Sequence, residues 1–145
     1  MMRKLLRHWL LVLLALILIA PATRSKVQAQ TQSTLDIELN GLVKTKNGCR
    51  VDFVMRNGLA KAIEALSLEI VLFKKDGGIS RILAIKAGEL PMGKTRVKQF
   101  RLRNCENIGR ILVNDITVCK GGKLTPKNCL KALKVGNRTG IEFGL

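Results

Sequence analysis

Leu66 to Lys86 reads LSLEIVLFKKDGGISRILAIK. Leu66, Leu68, Ile70 and Leu72 fall on alternate positions, with Ser67 and Glu69 between them. A period of two sends successive side chains to opposite faces, so this is a strand with one buried face. Lys74 to Gly78 (KKDGG) then supplies turn chemistry, because glycine accepts positive φ without steric cost. Ile79 to Lys86 returns as a second, shorter apolar strand.

The same period continues on either side. Upstream, Cys49, Val51, Phe53 and Met55 alternate with Arg50, Asp52 and Arg56, and Leu35, Ile37 and Leu39 make a first strand. Downstream, Lys94 to Arg103 (KTRVKQFRLR) sets Phe100 and Leu102 against Arg101 and Arg103. Val97 is out of step with Phe100, which predicts a bulge between them. Gly109 to Cys119 (GRILVNDITVC) is β-branched and nearly continuous, the pattern of a strand buried on both faces. Leu130 to Val135 and Ile141 to Phe143 flank a turn at residues 137–140. Two short helical pieces are expected, one over Leu59 to Leu66 (LAKAIEAL) and one turn after Thr125-Pro126, an N-cap followed by proline. About seven short strands separated by turns point to an all-β fold, a Greek-key β-sandwich over residues 35–145.

Residues 1–29 read as a cleaved signal peptide. Arg3, Lys4 and Arg7 precede Trp9 to Ala20, an apolar run of 12 residues. A membrane span needs about 20, so the run suits a signal helix better. Val27-Gln28-Ala29 places the cut after Ala29, with a second site after Ala22. The expected location is the periplasm; an uncleaved inner-membrane anchor is the alternative. Residues 30–34 form a flexible lead-in. The whole chain of 145 residues carries 26 Lys+Arg against 10 Asp+Glu, a net +16. Losing the signal removes five basic residues and no acids, which leaves +11. It also removes His8 and Trp9, so the remaining chain has no His, Trp or Tyr.

Cys49, Cys105, Cys119 and Cys129 all follow the signal. An even count in a small exported domain reads as two disulfides, and the close cysteine pairs of a structural zinc site are missing. Four cysteines allow three pairings. In a seven-strand Greek key the second and sixth strands run in the same direction, one in each sheet. Cys49 opens the second and Cys105 precedes the sixth, which predicts that they pair. Cys119 and Cys129 then close one loop.

The run from Asp52 to Leu102 resembles the small immunoglobulin-like modules of exported bacterial proteins. It shares their strand, the Asn57-Gly58 bend, a strand ending Leu72-Phe73-Lys74-Lys75-Asp76-Gly77, and a Leu90-Pro91-Met92-Gly93 turn before the strand to Phe100. With its four cysteines, the chain from about residue 35 onward is similar to a family of uncharacterised exported proteins of alphaproteobacteria. The resemblance implies a fold and carries over no catalytic residue.

Gly88 to Thr95 (GELPMGKT) matches the phosphate-binding pattern G-x-x-x-x-G-K-[ST] letter for letter, and Ile111 to Asp115 (ILVND) resembles its metal-holding strand. That chemistry needs a strand, the loop and then a helix, whereas Arg96 to Arg103 reads as a strand. The expected structure is a connecting turn. Without histidine the exported chain has no Ser-His-Asp or Cys-His arrangement. Glu89, Glu106, Asp36, Glu38, Asp52 and Glu69 fall in turns or at outward strand positions, the pattern of surface ion-pair partners. No enzyme, cofactor or metal site is expected. Asn137-Arg138-Thr139 fits a glycosylation sequon and reads here as a turn.

What remains is charge. Lys94, Arg96, Lys98, Arg101 and Arg103 are expected to form a basic stripe on one strand. Lys120, Lys123, Lys127, Lys131 and Lys134 gather around the short cysteine loop. The partners this implies are an envelope protein or an anionic lipid or lipopolysaccharide surface. Nucleic acid is not expected, because single-strand binding uses aromatic platforms. A small-anion carrier using the Lys-rich loop near Cys119 and Cys129 is the alternative.

Overall fold

Two four-stranded sheets face each other across one apolar core in the computed structural model of the chain, which describes residues 33–103 and 105–145. The expected signal segment, its cut sites and most of the lead-in lie outside the described residues. The strands are β1 (Leu35–Thr45), β2 (Gly48–Asn57), β3 (Ile63–Lys74), β4 (Ile79–Leu90), β5 (Thr95–Leu102), β6 (Ile108–Lys120), β7 (Leu133–Asn137) and β8 (Glu142–Gly144). One helix, α1 (Pro126–Lys131), joins β6 to β7. The first sheet has the order β5-β2-β1-β7 and the second β4-β3-β6-β8. Neighbours are antiparallel except for two pairs: β7 runs parallel to β1, and β8 runs parallel to β6. The all-β sandwich read from the sequence is therefore the observed architecture.

The alternating residues build the core as their period requires. Leu35, Ile37 and Leu39 are buried, as are Val51, Phe53 and Met55, and so are Leu66, Leu68, Ile70 and Leu72. Phe53 lies between Phe100 and Phe143, with ring centroids 6.1 and 5.7 Å away, so three of the four phenylalanines tie both sheets together. The KKDGG turn closes the β3–β4 hairpin. Lys74 N–H donates to the Gly78 carbonyl at 2.8 Å, and Gly77 takes a φ of 86°.

Both disulfides pair as the Greek-key argument predicts, Cys49 with Cys105 and Cys119 with Cys129. By loop entropy the longer bridge stabilises by about 4 kcal/mol and the shorter by about 3 kcal/mol. Both bonds belong to an oxidising, exported environment. Among the described residues no helix is long and apolar enough to cross a membrane.

Several local expectations are corrected. No helix forms over Leu59 to Leu66. Asn57 accepts from Leu59 N–H and donates to the Lys61 carbonyl, so local side-chain bonds hold this backbone in a bend until β3 begins. No bulge separates Val97 from Phe100: the β2–β5 register runs unbroken from Arg56↔Thr95 to Cys49↔Leu102. Val97 instead faces outward, 63% exposed. β6 buries one face only, because Asn114, Asp115 and Thr117 stand in solvent. Eight strands form where about seven are expected, since the final stretch is shared between the sheets. The turn after Thr125-Pro126 does form, with the Thr125 hydroxyl accepting from Asn128 N–H at 3.2 Å.

Candidate basic interface

Asn57 ends β2 and is fully buried. A buried amide must spend its hydrogen bonds, and this one spends them on two connections. Its Nδ2 donates to the carbonyls of Lys61 (2.9 Å) and Leu90 (2.8 Å), and its Oδ1 accepts from Leu59 N–H (3.0 Å). Its main chain holds the β4–β5 turn. Asn57 N–H donates to the Lys94 carbonyl at 3.1 Å, and Gly93 N–H donates to the Asn57 carbonyl at 2.7 Å. The β6–α1 loop packs against the same bend. A Cβ on Gly121, whose φ is 149°, would fall 2.1 Å from the Ala62 carbonyl oxygen, so only glycine permits this approach.

Three connections therefore meet at one end of the sandwich, termed here the loop end. They present Lys61, Lys94, Lys120 and Lys123, and α1 adds Lys127 and Lys131 beside them; all six are exposed. Among the described residues none of the six is in an ion pair. The ion pairs there join Arg50 to Asp52, Arg110 to Glu142 and Arg138 to Glu38, all on strands or turns away from these loops.

The expected stripe on one strand is not formed. Without a bulge, Arg96 and Lys98 share the inward side of β5 with Phe100 and Leu102, while Arg101 points outward. Lys98 is half-buried and leans across to β4, with its Nζ 3.9 Å from where a Gly88 Cβ would stand. Arg101 faces Arg50 directly across the strands, and Arg103 follows at the Cys49–Cys105 end. The eight basic residues singled out from the sequence thus divide. Lys94, Lys120, Lys123 and Lys127 come together, Arg101 and Arg103 sit at the opposite end, and Arg96 and Lys98 lie along the edge between. Sequence reasoning missed Lys61, because LAKAIEAL looked helical; the Asn57-Gly58 bend just before it was the available signal.

The phosphate-loop pattern is a turn. Gly88 and Glu89 belong to β4, and Thr95 begins β5 with no helix after the loop. The amides that would cradle a phosphate are already engaged, Gly93 N–H by Asn57 and Lys94 N–H by the Pro91 carbonyl at 3.1 Å. Among the described residues no group of three His, Cys, Asp or Glu side chains is placed to hold a metal. The Asn137 turn is also internally satisfied: its Nδ2 donates to the Ile141 carbonyl and its Oδ1 accepts from Thr139 N–H at 2.9 Å. Glu38 fastens this turn to β1. Its carboxyl is held below the usual carboxylate range first by the Asn40 amide at 2.9 Å, then by the Arg138 guanidinium at 2.8 Å.

A depression of about 350 Å³ lies beside α1, lined by Ser33, Thr34, Asn128, Lys131, Ala132, Leu133 and Lys134. It is open and mostly apolar, with two ammonium groups at its margin.

No protein-family model, curated protein or solved structure matches the chain.

Proposed function

We propose that the protein is an exported, non-enzymatic interaction module of the immunoglobulin-like type, working in the periplasm after signal cleavage. Its loop end binds an anionic surface of the envelope, such as phospholipid headgroups or lipopolysaccharide phosphates. The observation that supports this reading best is the gathering of six exposed lysines, without ion-pair partners, by a buried asparagine and a glycine that tolerates no replacement. Like charges repel, so holding them together costs stability that a bound anion returns. Asp52, Glu69 and Glu38 are occupied elsewhere, by Arg50 and Gln99, by Asn114 and by Arg138, and among the described residues no ion pair joins Asp36, Glu64 or Glu89 to the six lysines.

The test is vesicle cosedimentation at rising salt, using vesicles with and without anionic lipid and with and without lipopolysaccharide. Near an anionic surface each lysine contributes about 1 kcal/mol. Replacing Lys120, Lys123 and Lys127 by alanine together is therefore expected to weaken binding on the order of a hundredfold. Arg101→Ala with Arg103→Ala is expected to weaken it much less. Equal losses from the two sets, or binding that is insensitive to salt, would refute a loop-end site.

The depression beside α1 favours the carrier alternative, since Lys131 and Lys134 flank a space large enough for a small anion. Calorimetric titration with inorganic phosphate and Lys134→Ala, a lysine outside the six of the loop end, separates that reading from surface binding.

A further inference from the structure

Four strands form the sheet edges among the described residues, and three of them are guarded. β7 and β8 are only five and three residues long. β5 carries Arg96 and Lys98 on its inward side, and a charge pointing inward at an edge blocks the docking of another strand. β4 differs. It runs for 12 residues, and between Arg81 and Lys86 its register with β3 is unbroken. That stretch, about 20 Å long at the usual rise per residue, contains no proline or glycine. Its inward side holds Leu83 and Ile85 with Arg81 at one end, so β4 has a single inward charge, at the limit of the regular stretch, where β5 has two. Its outward side holds Lys86 and Ile82, which is 56% exposed. Register shifts near Gly88 and near Ile79 delimit it at each end. Long, regular and apolar is the description of an edge that accepts a strand.

We infer that β4, over Arg81 to Lys86, receives an extended acidic segment of a partner protein as an added strand of the second sheet. The backbone of this stretch offers a row of outward N–H and C=O groups, since residues of an antiparallel ladder alternate in facing their neighbour. Charge selects the occupant. Arg81 and Lys86 close the stretch, and the Lys98 ammonium lies by Gly88 at its upper end. Glu89, beyond the register shift, is the one acid on the strand. A second copy of the chain would set these cations against each other, whereas an acidic segment is attracted. On the outer face Ile82 stands in register with Val71 and, beyond it, Leu112. Apolar side chains on the inward side of the incoming strand would meet Leu83 and Ile85, and acidic ones on its outward side would reach Lys86. This site is separate from the loop end and does not depend on it.

The experiment uses the full oxidised chain and a ten-residue synthetic peptide that alternates valine with glutamate. Hydrogen exchange read by mass spectrometry is expected to slow over residues 79–90 when peptide is added, with residues 95–102 unchanged. A peptide alternating valine with lysine is expected to give no protection, and one with proline at every third position none. Ile82→Glu, at an exposed position that leaves the core intact, is expected to weaken peptide binding at least tenfold while the melting temperature stays within a few degrees of the parent. Vesicle binding by Ile82→Glu is expected to be unchanged, which separates this site from the loop end. Protection at β5 or at residues 91–94 and 120–125 instead of β4 would overturn the inference. So would equal affinity for the proline peptide, or self-association through β4 without peptide.

Discussion

Replacing Asn57 by alanine tests whether the loop end is built as described. The side chain makes three hydrogen bonds, to the Lys61 and Leu90 carbonyls and from Leu59 N–H. Each contributes about 1 kcal/mol net, and a buried partner left without one loses about 1–3 kcal/mol. Lys61 belongs to an exposed bend where water can replace the amide, whereas the Leu90 carbonyl and Leu59 N–H lie in the interior. The expected loss is therefore about 3–4 kcal/mol, a large share of the roughly 5–15 kcal/mol that holds a domain of this size. At about 2.1 cal/mol/K of unfolding entropy per residue, that is a fall in Tm of about 15 °C. Thermal and urea unfolding of the oxidised protein, followed by circular dichroism, measure it. Asn57→Asp is the sharper variant. It keeps the acceptor for Leu59, loses both donated bonds, and buries a charge, so it is expected to cost at least as much. The damage should also reach the vesicle assay, because the turn bearing Lys94 and the bend bearing Lys61 lose their common anchor. A loss below about 1 kcal/mol in the alanine variant would show that Asn57 is not the joint of these loops.

Two further outcomes are expected. Converting Cys119 and Cys129 together to alanine should lower stability by about 3 kcal/mol, and converting Cys49 and Cys105 by about 4 kcal/mol, read from urea midpoints; a reversed order would argue against loop entropy as the cause. Glu38 has a lowered folded-state pKa, so its contribution to stability is present above its unfolded value and is lost as pH falls through the lower folded one. Carboxyl chemical shifts should place its midpoint below that of an ordinary glutamate, and Asn40→Ala and Arg138→Ala should each move it up.

What the sequence made legible follows from where each strand sits. β2 and β3 are central in their sheets, so hydrophobic alternation from Cys49 to Met55 and from Leu66 to Leu72 had to match the core, and it did. The cysteine pairing was legible for the same reason, since strand order fixes which ends are neighbours. β5 misled because it is an edge: Arg96 and Lys98 can occupy inward positions there by running their aliphatic stems out past the rim. An expected bulge was the price of assuming that inward means apolar. The bend at Leu59 to Ala62 was hidden because LAKAIEAL has good helix propensity, while a single side chain, Asn57, competes for its backbone. The loop-end site was half legible. Lys120, Lys123 and Lys127 stood out as a lysine-rich stretch, but their meeting with Lys61 and Lys94 depends on contacts between connections far apart in the chain.

The pairing of β1 with β7, from Leu35↔Leu133 to Leu39↔Asn137, has a kinetic corollary. The first strand obtains its second neighbour only after almost a hundred residues have followed it. Contacts closed over such separations form late, because the loop entropy is lost before any reward arrives. On the exported reading proposed above, the first strand would lack this neighbour until residues as far as Asn137 had also crossed. The first sheet is thus closed from the tail of the chain, after the local β1–β2 and β3–β4 hairpins.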